Sequence, residues 1–303
     1  MTGNYRPLGV RLAIEGDVTP LLTAVEAGLG QYPADFGLRG TLTFEARTHP
    51  DGTSDPGWPR IDASDDAHRL SVRCGSSSAV LDYSCGVAAI DLAESMLDVG
   101  DAMRLFAESV FTAAMVRAGE LHAVHSGLVV HDGVGLVLRG QSGAGKSTLT
   151  YASMRRGAAV CSDDWIYAAT RREPGRFAGY PWRMMMTEEA ATRFPELLGA
   201  PTAPHPAAEG RKIPIFPPVD QQAVVADATA VVLLDPDVAL SLEPIDTDEA
   251  VGRFWASSLP TEREYLDAAW VEALLTRPTF RLQRGRDPVA AAVALQDLAA
   301  SLR

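Results

Sequence analysis

The stretch Gly140-Gln141-Ser142-Gly143-Ala144-Gly145-Lys146-Ser147-Thr148 decides the reading of this 303-residue chain. It satisfies the G-x-x-x-x-G-K-[ST] pattern of a phosphate-binding P-loop, and it stands where that pattern has meaning. An apolar run at 135–138 precedes it, and a helical pattern ending before Gly157 follows. The glycines let backbone N–H groups turn inward around phosphate oxygens, and a helix starting near Lys146 adds the positive end of its dipole. Residues 140–148 are therefore expected to bind a nucleoside triphosphate. Lys146 would reach the β- and γ-phosphates and the Ser147 hydroxyl would ligate Mg²⁺, which makes Mg²⁺ and ATP the expected cofactors.

The next apolar strand, 158–161, leads into Asp163-Asp164. Both carboxylates then emerge beside the loop, where one can hold the metal while the other takes the proton of an attacking hydroxyl. An ordinary solvated turn is the alternative. A rival exists in Val231-Val232-Leu233-Leu234-Asp235, also an apolar strand ending in an acid. His125 lies just before the strand that enters the hairpin 126–138, within reach of the phosphate end, although a lone histidine is more often structural. His49, His68, His122, His131 and His205 form no H-x-H or H-x-x-x-H metal pair. Arg211 and Lys212 precede a short strand at 213–216 after the Pro-rich 200–206, as in a loop that closes over phosphate. Arg183, Glu188 and Glu189 are weaker candidates, and acids at 188–189 equally suit a helix N-terminus.

Outward from the loop, strand-loop-helix-strand is the core of an α/β nucleotide-binding domain. Downstream strands are expected at 231–234 and 280–282, with helices at 246–257, 262–275 and 288–302. Upstream, strands at 10–14, 41–46, 70–74 and 79–83, a helix at 21–29 and one or two amphipathic helices across 93–120 make a smaller α+β N-terminal domain. Residues 49–57 are too rich in turn formers for a regular element. The domains are placed at 1–120 and 121–303. A formal charge of −12 argues against nucleic acid or anionic lipid as partner. No apolar run is long enough to cross a membrane and residues 1–10 do not read as a secretory leader, so a cytoplasmic location is expected. Cys74, Cys85 and Cys161 lack the close spacing of a zinc or redox site and are read as buried small hydrophobes.

The segment 125–164 resembles the catalytic domain of HPr kinase/phosphorylase and the wider HPr kinase-like group. His125, an apolar hairpin, the P-loop, Arg156-Gly157, an apolar strand and Asp163-Asp164 follow in that family's order, with 21 positions from His125 to Lys146 and 17 from Lys146 to Asp163. The resemblance implies a P-loop core like the HPr kinase C-terminal domain. It implies Asp164 as catalytic base, Asp163 as metal ligand beside Ser147, and His125 and Lys146 as catalytic residues, and it favours the acid pair over Asp235. It implies γ-phosphoryl transfer from ATP to a hydroxyl, foremost a Ser or Thr of a protein or ribosomal peptide, as in the peptide-tailoring members that act on lasso-peptide precursors. No Glu-Ile-Arg-Gly-type run occurs between Trp165 and Phe216, which sets the chain apart from the bifunctional members. Family members assemble into rings, so a homo-oligomer belongs to the same expectation. A small-molecule kinase acting on a sugar, nucleoside or amino alcohol, and a nucleotide-controlled switch without transfer, are the two alternatives.

Overall fold

A computed structural model describes residues 2–50, 60–63, 69–205, 210–236 and 239–303. Residues 51–57 of the turn-rich stretch, His68 and Asp237 lie outside them. The chain divides into two compact units, Met1–Leu121 with Pro204–Gly210, and His122–Ala203 with Arg211–Arg303.

In the first unit the strands are β1 (Thr2–Tyr5), β2 (Arg11–Gly16), β3 (Thr41–His49), β4 (Arg60–Ala63), β5 (Arg69–Cys74), β6 (Ser77–Asp82) and β7 (Val87–Ala93). They form one sheet in the order β1-β2-β3-β7-β6-β5-β4. The helices are α1 (Thr19–Ala27), α2 (Glu94–Leu97) and α3 (Gly100–Arg117). Strands β2 and β3 pair in parallel, and α1 supplies the crossover that parallel neighbours require. Period-two burial puts Leu12, Ile14, Leu42, Phe44, Val72 and Ile90 inside, and Met96, Met103 and Met115 of the helical stretch are core residues. Of the three cysteines, Cys74 and Cys161 are buried, whereas Cys85 is exposed in the turn after β6. The expectation of three buried thiols is corrected there: a turn residue between antiparallel strands has no core to enter.

The remaining elements are β8 (Leu121–Val124), β9 (Ser126–His131), β10 (Val134–Arg139), α4 (Lys146–Met154), β11 (Ala159–Ser162), β12 (Ile166–Ala169), β13 (Arg176–Gly179), β14 (Met184–Thr187), α5 (Glu188–Ala191), β15 (Ala203–His205), β16 (Gly210–Ile215), β17 (Val225–Asp235), β18 (Leu240–Pro244), α6 (Thr247–Ala256), α7 (Pro260–Tyr265), α8 (Ala268–Leu274), β19 (Thr279–Arg284) and α9 (Pro288–Ser301). A mixed sheet runs β11-β9-β10-β17-β13-β12-β8, with β19 on the far half of β17 and β18 beyond it. Strands β10 and β17 are parallel, as are β17 and β19. Strand β11 is antiparallel to β9, which is antiparallel to β10. The C-terminal ends of β11, β10, β17 and β19 therefore share one edge of the sheet, where ligands of open α/β sheets collect. One face packs Leu136, Leu149, Leu295 and Leu298 into a core beneath α4 and α9. The opposite face packs Val137, Leu233, Phe254, Val271 and Leu274 beneath α6 and α8. The protein is thus a mixed α/β protein with several sheets.

Local sequence explains the details. The β9–β10 hairpin turns at Asp132 and Gly133, whose φ values of 47° and 87° give the left-handed pair that a two-residue hairpin loop needs. The single helix expected at 262–275 is two, because Asp267 accepts hydrogen bonds from the N–H groups of Ala269 and Trp270 and starts α8 afresh. Among the described residues no helix is long and apolar enough to cross a membrane.

Strand β10 lies so close to β17 that a Cβ at Gly135 would sit 2.0 Å from the Asp227 carbonyl oxygen. Gly135→Ala is expected to destabilise the protein by about 1–3 kcal/mol, as overpacking does. Gly252→Ala, in the middle of α6 with nothing within 4 Å of the new methyl, should stabilise by about 0.5–1 kcal/mol. Urea unfolding of both variants checks the contrast; equal effects would contradict it.

Candidate active site

The glycine-rich loop links β10 to α4 along this shared edge. Gly143 and Gly145 adopt φ of 81° and 97°, values that glycine alone takes without strain. At Gly143 the direction a Cβ would take is open space. The Ala144 N–H returns to the Gln141 carbonyl at 3.0 Å, and Leu149 N to Gly145 O at 2.9 Å is the first helical bond, so the N–H groups of the first helical turn have no partner within α4. Lys146 is buried, and its Nζ donates to Gly140 O at 2.9 Å and to Gln141 O at 3.3 Å. Burial lowers its pKa to about 8, while Asp164 raises it, Arg139 lowers it, and Glu262 and Asp163 raise it. Gln141, Ser142 and Gly143 face solvent; Ser147 and Thr148, in the first turn of α4, are half-buried.

Strand β11 brings the acids to the same place. Its register against β9 skips Cys161, a bulge of the kind that re-aims side chains at a strand end. Gly127 makes the approach possible: a Cβ there would lie 2.9 Å from Thr150 Oγ1 and 3.7 Å from the Asp163 Cα. Asp163 then points inward, buried, hydrogen-bonded to the Ser147 side chain and accepting from Met185 N at 3.4 Å. Asp164 points outward, its side chain 53% exposed, with Oδ1 3.0 Å from His125 Nε2.

The two carboxyls divide by environment. Burial first, and then the charge of Asp164, push Asp163 up to about 7, against the Ser147 and Met185 hydrogen bonds and the charge of Lys212. Desolvation also raises Asp164, but the hydrogen bond and charge of His125, together with Lys146 and Lys212, outweigh it and hold this carboxyl below its ordinary range. The inner acid is thus poised near neutral pH and the outer one carries the charge.

His125 is fixed from behind. Its N–H donates to Glu262 Oε1 at 2.8 Å, and its carbonyl accepts from Arg139 at 3.4 Å. Arg139, the last residue of β10, is fully buried in an ion pair with Glu262 at 2.7 Å, also donates to Ser257 Oγ, Ser258 Oγ and Phe254 O, and lies 3.8 Å over the Phe254 ring. Glu262 Oε2 accepts from Leu259 N at 2.7 Å, closing the first turn of α7. The His125 ring stands 5.2 Å from Trp165, and its Nδ1 is buried without a hydrogen-bond partner.

Among the other candidates, Lys212 faces Thr187 across the β14–β16 pair and acts by its charge on both acids. For Arg211 the backbone alone is described, in β16. Arg183 is half-buried between β13 and β14. Glu188 and Glu189 occupy the first turn of α5, capped by Thr187, where they serve the helix dipole. Asp235 ends β17 on the same edge but is ion-paired at 2.7 Å to Arg253, which also bonds Glu249. His122 bonds Tyr265 O and packs at a tilt against the Trp270 ring, and His131 ends β9, away from the loop. Among the described residues no three acids, histidines or cysteines gather as a metal cage. Arg139 and Glu262 carried no sequence expectation. The available signal was an arginine closing an otherwise apolar buried strand, which demands a buried partner.

Comparison with known proteins places a solved structure beside this geometry. The HPr(Ser) kinase/phosphatase from Coxiella burnetii is a remote structural likeness. It matches over 59% of this chain and 92% of its own, at 12% identity and a TM-score of 0.31. No family model matches the chain, and no curated protein does.

Two outcomes follow from the site. The folded-state pKa of Asp163 lies above its ordinary value of 3.8, so its contribution to the stability of the metal-free protein is full below about pH 4 and is lost as pH rises through about 7. Asp163→Asn should flatten that part of the stability–pH profile; an unchanged profile would contradict the assignment. Glu262→Ala leaves Arg139 buried and unpaired and should cost about 3–5 kcal/mol, read by chemical denaturation.

Proposed function

We propose that the chain is an ATP-dependent kinase that transfers the γ-phosphoryl group to a hydroxyl, in the first place a Ser or Thr of a protein or ribosomal peptide. The observation that carries this reading is the outward Asp164 carboxylate, 3.0 Å from His125, beside a phosphate loop whose Ser147 is bonded to a second, buried acid.

The residues present fit a magnesium nucleotide. Mg²⁺ asks for one or two protein oxygens and takes the rest from water and phosphate, and Ser147 with Asp163 is such a pair, which needs no three-residue cage. Held there, Mg²⁺ would offset the charge that develops on the β- and γ-phosphate oxygens. The amides of 143 and 145–148 and Lys146 bind the triphosphate, Lys146 leaving its resting bonds to Gly140 O and Gln141 O. The acceptor oxygen attacks phosphorus, the bond between phosphorus and the bridging oxygen breaks, and ADP leaves with that electron pair. Asp164 orients the acceptor hydroxyl and takes its proton, held in place by the hydrogen bond from His125. An acid held below the ordinary range is a weak base. That suffices where the transition state is loose and the proton leaves late, and positioning and electrostatics supply most of the rate. Lys212 adds positive charge beside both acids, as a closing group over the γ-phosphate.

The exposure of Asp164 favours an acceptor carried on a chain over a metabolite enclosed in a pocket. Sugar, nucleoside or amino-alcohol kinases and a switch without transfer are the outcomes that would replace this reading. Lys146→Ala should abolish ATP binding and turnover. Asp164→Asn should leave ATP affinity within about threefold and lower transfer to a Ser/Thr peptide by about 10²–10⁴, measured by calorimetry and phosphopeptide mass analysis. Transfer at the original rate in Asp164→Asn would sink the assignment.

A further inference from the structure

The edge that carries the loop does not end at β17. Strand β19 finishes there at Arg284, whose side chain lies directly against the loop: a Cβ at Gly145 would stand 3.0 Å from its Nε and 3.2 Å from its Cδ. The Arg284 Nε is buried and has no hydrogen-bond partner, and among the described residues no carboxylate pairs with this guanidinium. Burial disfavours its charge, and the charge that acts on it besides is another cation, Arg193, itself held by the Arg286 carbonyl at 2.7 Å. The buried Arg139 behaves differently. It has Glu262 and four further contacts. A half-buried guanidinium with an unused donor, beside a second cation and above a backbone that binds phosphate, calls for an anion.

The order of the strands says which anion. The acid pair ends β11, on one flank of β10, and Arg284 ends β19, on the other flank with β17 between. The γ-phosphate must face the acids, so the triphosphate runs away from them across the loop and its nucleoside end lies toward β19. We infer that Arg284 is a nucleotide-binding residue that contacts the α-phosphate, with Arg193 adding charge at the same end. The assignment rests on the nucleotide reading above and deepens it: the loop and Asp163 hold the reacting end, and Arg284 holds the end that does not change in the reaction. A contact there contributes to ATP and ADP binding alike, and it lowers KM without raising kcat.

The test is titration of wild type, Arg284→Met and Arg284→Lys with Mg-ATP and Mg-ADP, with thermal unfolding of each protein alongside. Methionine keeps the bulk of the stem, and lysine keeps the charge without the planar fork. The expected result is a similar loss of affinity for both nucleotides in Arg284→Met, about tenfold as for one charge-assisted hydrogen bond, with a smaller loss in Arg284→Lys and unchanged kcat at saturating ATP. Unchanged affinity in Arg284→Met overturns the assignment. A loss confined to ATP, with ADP unaffected, overturns it as well, because the contact would then be to the γ-phosphate. Wild-type protein that binds neither nucleotide defeats the nucleotide reading itself, an outcome distinct from either.

Discussion

A buried arginine at the end of an apolar strand is the constraint around which the candidate site is built. Arg139 cannot be solvated where it stands, so the fold must supply its counter-charge, and it does so with Glu262 from α7. That carboxylate then accepts four donors: two from Arg139, the His125 N–H and the Leu259 N–H. One desolvated pair therefore fixes the last residue of the strand feeding the loop, the backbone of the histidine that meets Asp164, and the first turn of α7. Ion pairs of this kind contribute little net stability compared with an apolar replacement. What this one contributes is position, because the hydrogen bonds that surround both charges hold the pair at this one place.

The acid pair shows how adjacent identical residues acquire different chemistry. A bulge at Cys161 turns one carboxyl into the protein and the other out of it. Inside, desolvation keeps a proton on Asp163 until near neutral pH; outside, His125, Lys146 and Lys212 stabilise the ionised Asp164. In the proposed kinase the inner acid would exchange its proton for a cation and the outer one would stay charged before the acceptor.

Much of this was legible in the chain because local rules carried it. The loop motif states its own backbone requirement through Gly143 and Gly145. The sequence His131-Asp132-Gly133 writes a hairpin turn, and alternating or 3.6-residue apolar patterns marked strands such as 41–46 and helices such as α9. The bounds slipped where long-range pairing extends a strand, as in β17, which begins at Val225 because its first residues pair with β13. Strand β12 went unread because it is buried throughout and no alternation survives; β7 alternates in burial, but its small Ala88 and Ala89 blur the pattern in the sequence. The Arg139–Glu262 pair and Arg284 went unread for a different reason. Residues 123 positions apart meet only through the folded sheet, and a lone arginine at a strand end looks the same in sequence whether it is solvated or pressed against a glycine-rich loop.

Tracking the γ-phosphate of labelled Mg-ATP in wild-type protein, with a pool of Ser/Thr peptides and by intact mass, tests the kinase account most directly. The account predicts label on a peptide hydroxyl together with ADP. ATP bound and left intact, or ADP released with the label in water and none on any acceptor, would contradict it.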